Sequence, residues 1–162
     1  IPVDPLYLSW KLKSLNYTAR FIELADAINS FMPEHVVARV ADALNDEGKA
    51  LRGTKVLILG VAYKKDIDDL RESPALDVMV KLMERHADLR YHDPYVPTMR
   101  LSGVTFESTT LTPAALHEAD CVLVITDHSN LDWSLVRREA RLIVDTRNAL
   151  KNTSGGARVV RL

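Results

Sequence analysis

The chain has little of several features that would define its class at once. It holds a single cysteine, Cys121, which excludes an internal disulfide framework and is typical of a reducing compartment. No apolar run approaches the roughly 20 residues that cross a bilayer. The formal net charge of −1 provides no general attraction for nucleic acid or anionic lipid. We therefore expect a cytoplasmic protein that binds neither nucleic acid nor membranes, and in which any anion site is local.

What the chain does have is material for a hydrophobic core. Of its 162 residues 47% are hydrophobic, which is enough for one domain plus an appendage. The five histidines show no metal-ligand spacing, so we predict no metal site. The chain starts Ile1-Pro2-Val3-Asp4-Pro5, without an initiator methionine. We expect it to begin inside a longer protein.

The first part of the chain has a helical pattern. Apolar residues recur at helical spacing from Thr18 to about Asn45, interrupted by Pro33. The segment is therefore predicted to be one kinked helix or two abutting ones. A polar stretch at 49–54 follows. We predict that residues 1–50 end a helical domain and that residues 51–162 form a second one.

The second part alternates strands and helices with short links. The predicted order is strand 56–59, helix 74–85, strand 89–92, helix 113–118, strand 121–126, a short helix after Asp132, and strand 142–145, with a marginal strand at 104–106 and a mobile tail at 151–156. Such alternation indicates right-handed crossovers in a parallel sheet. We predict an α/β fold: a Rossmann-like, doubly wound parallel sheet preceded by a helical segment.

The segment from Val56 to Pro74 is typical of a phosphate site. Its apolar strand breaks at Gly60, and Ser73-Pro74 is a helix start signal. The loop between them is about twice the usual two to six residues. It carries Lys64, Lys65 and Arg71, close to the unpaired N–H groups of a helix N-terminus.

Polar residues also follow the other predicted strands. Ligands of open parallel sheets bind beyond the carboxyl ends of the strands, so these groups are expected along one edge. They are Tyr63, Lys64, Lys65 and Arg71 after the first strand, then His92 and Asp93, Asp127 and His128, and finally Thr146, Arg147 and Asn148.

The loop lacks the glycines of known phosphate motifs. Neither a Gly-x-Gly-x-x-Gly fingerprint nor a Walker A loop follows Gly60, which argues against NAD binding by the usual route. Side-chain cations, Lys64, Lys65 and Arg147, would have to hold a diphosphate instead, with Tyr63 stacking on or under a base. The alternative is that the cations of this loop are solvated or paired with nearby carboxylates.

Two further residues have competing interpretations. Cys121 heads an apolar strand and is expected to be a packing residue, with a nucleophile as the minor alternative. Asp4 stands between two prolines, where a carboxylate is hard to explain as core; its structural role would be to cap a helix beginning near Leu6.

Two blocks of sequence are similar to the nucleotide-sugar 6-dehydrogenases, the UDP-glucose/GDP-mannose dehydrogenase family. They are Ile1-Pro2-Val3-Asp4-Pro5-Leu6-Tyr7-Leu8 and Leu59 to Asp66 continued by Asp69-Leu70-Arg71-Glu72-Ser73-Pro74, with weaker support from His92-Asp93-Pro94 and Asp145-Thr146-Arg147-Asn148. The resemblance implies an N-terminal NAD-binding domain, a helical middle domain that builds a homodimer, and a C-terminal UDP-binding domain. This chain then corresponds to the end of the middle domain and the whole C-terminal domain.

The resemblance also implies roles for individual residues. Asp4 matches an aspartate that assists the hydrolytic step, Tyr63, Lys64 and Arg147 match UDP-binding residues, and Arg71 matches an arginine that reaches NAD. The nucleophilic cysteine would lie one residue before Ile1, so this chain alone is expected to be inactive. The family reaction oxidises C6 of the sugar with two NAD, through a cysteine thioester.

The first block indicates a branch of the family. Val3 stands where enzymes acting on UDP-glucose usually have lysine, so the chain looks more like the branch oxidising UDP-N-acetylglucosamine or UDP-N-acetylmannosamine. Two alternatives stay open: a non-catalytic nucleotide-binding or regulatory module, and a GDP-mannose 6-dehydrogenase.

Overall fold

The computed structural model describes residues 3–162. Along them lie α1 (Val3–Lys13), α2 (Arg20–Asp46), β1 (Lys55–Leu59), α3 (Pro74–Glu84), β2 (Asp88–His92), β3 (Thr98–Leu101), β4 (Val104–Glu107), α4 (Pro113–Glu118), β5 (Cys121–Val124), α5 (Trp133–Glu139), β6 (Leu142–Asp145) and β7 (Arg158–Arg161). No helix in this described part is long and apolar enough to cross a membrane.

The predicted α/β fold is confirmed. Five parallel strands form one sheet in the order β2-β1-β5-β6-β7. In β1 the side chains alternate between two cores: Val56 and Ile58 join the residues of α2 and α3, whereas Leu57 and Leu59 join those of α4 and α5. Because both faces of the sheet are covered, the central strands β1, β5 and β6 are apolar on both sides.

The interrupted helical pattern is one continuous helix. Pro33 lies inside α2, where it lacks the N–H that would reach the preceding turn. From this point on the helix is packed on the sheet, with Val37, Val40 and Leu44 fully buried. This half of α2 also forms a salt bridge with α3, because Glu34 lies 3.1 Å from the Lys81 ammonium. The second half of α2 therefore covers one face of the sheet, and the boundary near residue 50 stays a prediction.

The structure adds two strands that sequence patterning missed. β3 pairs with the marginal strand, β4, as an antiparallel hairpin whose turn, Ser102-Gly103, has positive φ at both residues. After the tail, β7 extends the parallel sheet beside β6. Both missed strands have only four residues, too few for a clear apolar period.

Candidate functional site

The turn after β1 requires its glycine because of a neighbouring strand. Gly60 has φ +78°, and a Cβ there would lie 2.2 Å from the carbonyl oxygen of Thr126. The Thr126 hydroxyl also donates to the carbonyl of Ala62 at 2.7 Å. The ends of β1 and β5 are thus packed against each other, and the glycine serves this contact.

A buried carboxylate, Asp93, holds the next two residues of the turn. Its side chain accepts hydrogen bonds from the N–H groups of Val61 (2.7 Å), Ala62 (3.0 Å), Tyr95 (2.9 Å) and Val96 (3.2 Å), and lies 3.0 Å from Nε2 of His128. Burial by itself would raise the pKa of Asp93, but the bonds from His128 and the backbone amides outweigh it and hold that pKa below its ordinary value. Asp93 is therefore an ionised internal anion.

His128 fixes the far end of the same turn. It is fully buried, and its Nδ1 accepts a hydrogen bond from the N–H of Asp66 at 2.9 Å. Since Nδ1 is an acceptor, the Nε2 hydrogen is the one directed at Asp93. Asp66, which has φ +62°, accepts in turn from the N–H (2.8 Å) and hydroxyl (2.7 Å) of Ser129, and these bonds lower the pKa of Asp66.

The loop after β6 is organised in the same way. The buried carboxylate of Asp145 accepts from the N–H groups of Arg147 (3.0 Å), Ala149 (3.1 Å) and Leu150 (3.0 Å). Asn148 has φ +56°, a conformation that asparagine tolerates better than most residues. The backbone that carries Arg147 is thereby fixed.

The cations of the sheet edge differ in their partners. Asp127 lies 3.9 Å from the Lys65 ammonium and accepts from Nε of Arg147 at 3.3 Å. Lys64 lies 5.5 Å from the centroid of the Tyr63 ring, and within residues 3–162 no carboxylate lies within salt-bridge distance of it. Pairing with carboxylates thus holds for Lys65 and Arg147, whereas Lys64 is available to an anion.

Arg71 is paired within its own loop. Its guanidinium donates to both carboxylate oxygens of Asp69, at 2.9 and 2.8 Å, and these bonds lower the pKa of Asp69 to about 2. The Arg71 side chain is nevertheless 88% exposed. It is therefore a surface side chain that is held by Asp69.

Tyr63 and Arg147 line one open groove of about 790 Å³ between α2 and the sheet edge. From α2 the groove is bordered by apolar residues such as Phe21 and Met32 and by the carboxylate of Asp26. Pro5 and Leu6 of α1 line it too. The groove therefore lies between the helical segment and the loops after β1 and β6.

The remaining candidates are placed as follows. Asp4 is exposed in the first turn of α1, one residue before the groove lining; because α1 already includes Val3, it lies within the helix and not at its N-cap. Cys121 is buried, and burial raises the pKa of its thiol to about 12, which makes it a packing residue. Within the described residues, no group of His, Cys, Asp and Glu is arranged to hold a metal ion.

Sequence reasoning placed Asp93 and His128 at this edge and named Asp145 only as part of a family motif, and it missed the roles of all three as anchors of backbone N–H groups. The bonds that Asp93 accepts from Val61 and Ala62 join residues more than 30 positions apart, so no local pattern reports them. A carboxylate directly after a predicted strand, as in His92-Asp93-Pro94, was the available signal.

A covered parallel sheet whose carboxyl edge carries fixed loops, cations and an open groove defines the class of Rossmann-like nucleotide-binding domains. Residues 57–152 match the model of the UDP-glucose/GDP-mannose dehydrogenase family, UDP binding domain. The match covers more than half of the chain, and the chain belongs to this family.

Individual relatives support the assignment. The chain is 35% identical to the UDP-N-acetyl-D-mannosamine dehydrogenase of Yersinia pestis over 79% of its length, and 34% identical to that of Campylobacter jejuni over 79%. Its structure is similar to that of a UDP-D-ManNAc dehydrogenase from Pyrococcus horikoshii, with a TM-score of 0.75 and 27% identity over 95% of the chain.

The chain spans only about a third of these relatives. It covers 31% of the Yersinia protein, 30% of the Campylobacter protein and 37% of the Pyrococcus chain.

Proposed function

We propose that this chain is the C-terminal, UDP-binding part of an NAD-dependent UDP-sugar 6-dehydrogenase. The observation that carries the proposal is that Tyr63 and Arg147, from loops distant in sequence, line one groove. Lys64 is not among the lining residues, but its ammonium lies 5.5 Å from the centroid of the Tyr63 ring. Membership of the family and the names of the relatives agree with the proposal.

In this proposal the groove takes the nucleotide of the substrate. Lys64 and Arg147 bind the two phosphoryl groups, each charge-assisted contact contributing roughly 1.5–3 kcal/mol. Tyr63 packs against the base. Because Arg147 already donates to Asp127, the phosphate either replaces that carboxylate or binds at the remaining guanidinium N–H groups.

The residues of this chain do not fit the pyrophosphate of NAD. The N–H groups of Val61 and Ala62 donate to Asp93, and the bulky residues Tyr63 and Lys64 follow where a dinucleotide site has glycine. We therefore assign NAD mainly to another domain of the whole protein, with the exposed Arg71 of this chain reaching it.

The whole protein would oxidise C6 of the sugar from alcohol to carboxylate in two hydride transfers, through a cysteine thioester. This chain contributes substrate binding, and Asp4, one residue before the groove lining, is proposed to assist the hydrolysis. The substrate is proposed to be a UDP-N-acetylhexosamine, in agreement with the relatives named UDP-N-acetyl-D-mannosamine dehydrogenases. A role in cytoplasmic polysaccharide biosynthesis goes with this substrate.

The organisation proposed for the whole protein follows the same division. Residues 1–50 are the end of a central dimerisation domain, and residues 51–162 are the UDP-binding domain. The exposed apolar side chains of α2, including Phe21 at 89% and Phe31 at 61% exposure, support a homodimer built on that helix.

Calorimetry with UDP tests the site. We expect the chain to bind UDP and Lys64→Ala to weaken this binding by about tenfold. The control is Lys55→Ala, which removes a lysine from the opposite end of β1 and is expected to leave UDP affinity unchanged. Equal affinity of the two variants would contradict the assignment of Lys64. Preference for GDP over UDP in a competition would favour the GDP-mannose alternative.

A further inference from the structure

Asp93 and His128 form the buried part of the site and touch none of the groove. Asp93 is 1% exposed and His128 is 0% exposed. The mechanism proposed above does not use them. Yet five hydrogen-bonding groups from three separate segments meet at the Asp93 carboxylate, which is an unusual concentration for one side chain.

The Asp93 carboxylate occupies the position that the phosphates of a dinucleotide take in related folds, next to the N–H groups of the turn after the first strand. In dinucleotide-binding folds the N–H groups after the first strand point at a pyrophosphate. Here the corresponding N–H groups, those of Val61 and Ala62, donate to one oxygen of Asp93 at 2.7 and 3.0 Å. The protein thus supplies its own anion to this part of the turn.

The two buried residues fix both ends of a short span. Asp93 holds the backbone at Val61 and Ala62, and His128 holds it at Asp66. Only residues 63–65 lie between these points, and the first two of them are the proposed nucleotide ligands. A span this short has little conformational freedom once its ends are fixed.

We propose that Asp93 and His128 are positioning residues for nucleotide binding: Asp93 fills the anion position of the turn, His128 ties Asp93 to Asp66, and together they hold Tyr63 and Lys64 in the binding conformation. This inference rests on the proposed function. The phosphates of the substrate are consequently bound by the side chains of Lys64 and Arg147, and not by the backbone N–H groups of the turn.

The chemistry of the anchor predicts which substitutions break it. A carboxylate offers acceptors at both oxygens, as the five donors around Asp93 require, whereas the amide of Asn has one oxygen and directs an NH₂ group at the others. Asp93→Asn therefore leaves donors facing donors. His128→Gln keeps a donor for Asp93 but loses the ring nitrogen that accepts from Asp66.

The first experiment compares UDP affinity with stability in the 162-residue chain. We expect Asp93→Asn to weaken UDP binding by about tenfold and His128→Gln by about threefold. The control is Leu116→Ala, a fully buried residue in the core on the opposite face of the sheet. It lowers the unfolding temperature but leaves UDP affinity unchanged, which separates positioning from general loss of stability.

The second experiment is chemical rescue. In Asp93→Ala the N–H groups of Val61 and Ala62 lose their acceptor, and we expect their NMR signals to shift and line-broaden. Added acetate occupies the vacated position, returns both signals towards those of the native chain and restores part of the UDP affinity. Acetate has no such effect on Leu116→Ala.

The outcomes separate the two levels of the argument. No UDP binding by the native chain would overturn the proposed function and this inference with it. Native binding with unchanged affinity in Asp93→Asn and His128→Gln would overturn the inference alone. If Asp93→Asn does not fold, the other two variants decide. Undiminished UDP affinity in His128→Gln refutes the positioning role, and so do native amide signals of Val61 and Ala62 in Asp93→Ala without acetate.

Discussion

Arg147 donates from Nε to the carboxylate of Asp127 at 3.3 Å, although the two residues belong to loops that follow different strands. The same carboxylate lies 3.9 Å from the Lys65 ammonium. One acidic group therefore neutralises part of the positive charge at the edge of the sheet. An anionic ligand has to compete with it.

The first prediction concerns this competition. Asp127→Asn removes a negative charge beside the proposed phosphate position, which is worth about 1 kcal/mol for an exposed pair, or about fivefold in affinity. We expect tighter UDP binding at low salt and a smaller gain at high salt, measured by titration at several ionic strengths. Weaker binding at every salt concentration would mean that Asp127 mainly orients Arg147. Asp120→Asn, at the opposite edge of the sheet, is the control.

The second prediction concerns the turn after β1. Gly60→Ala places a Cβ against the backbone of Thr126 in a conformation that disfavours side chains, so we expect a loss of about 3 kcal/mol in the free energy of unfolding. Gly48 is the matched control, because it has φ +71° but nothing within 4 Å of its added Cβ. Gly48→Ala is expected to cost about 1 kcal/mol. Equal losses in urea unfolding would show that the Thr126 contact is unimportant.

The third prediction concerns the cap of α3. The Ser73 hydroxyl is buried, donates to the carbonyl of Val61 at 2.7 Å and accepts from the N–H of Ala75 at 3.3 Å. Ser73→Ala leaves both groups unsatisfied, and we expect a loss of about 2 kcal/mol in unfolding free energy. Thr112→Ala removes the cap of α4, which makes the single bond to Ala115, and should cost about 1 kcal/mol.

The fourth prediction concerns acid. The pKa values of Asp93 and Asp69 are lowered in the folded state, that of Asp69 to about 2, from an ordinary value near 4. As the pH falls, the two carboxylates are protonated at a higher pH in the unfolded chain than in the folded chain. The stabilisation that they provide is therefore complete above about pH 4 and is lost as the pH falls towards 2. The unfolding free energy should decline across that window. Asp93→Asn should flatten the decline, and an equally steep one would exclude Asp93 as a contributor.

The fifth prediction concerns self-association. Phe21 is 89% exposed on α2, and Leu24 and Ile28 on the same helix are more than half exposed. Large apolar surfaces of this kind mark interfaces. We expect sedimentation to detect dimers of the native chain and fewer dimers of Phe21→Ser. Lys11→Ser, an exposed polar position on α1, is the control; a native chain that stays monomeric at high concentration would contradict the prediction.

Much of the fold could be read from local signals. Ser73-Pro74 marked the start of α3, and the apolar run from Val56 to Leu59 marked β1. These signals succeed because caps, proline and buried parallel strands act within a few residues. The four-residue strands β3 and β7 escaped because pairing with a neighbour, and not their own composition, makes them strands.

The candidate site could be predicted only as a set of residues. That polar groups after successive strands share one edge follows from parallel topology, and the structure agrees for Tyr63 and Arg147, which line the same groove. The sequence did not indicate which of the cations pair with which carboxylates. Lys65 and Arg147 share Asp127, from a third loop, and Arg71 is bound by Asp69 two residues away.

The amino-acid sequence by itself determined most of the alternation of strands and helices and the edge along which the polar groups lie, because these depend on short-range backbone preferences and on strand direction. Only the tertiary structure decided that residue 60 has to be small beside Thr126 and that the backbone of the turn after β1 is bound by Asp93 and His128. It also decided that Lys64, within residues 3–162, has no carboxylate at salt-bridge distance. The physical reason is distance: Asp93 meets Val61, Ala62 and His128 only in the folded chain, because each lies more than 30 positions away in the sequence.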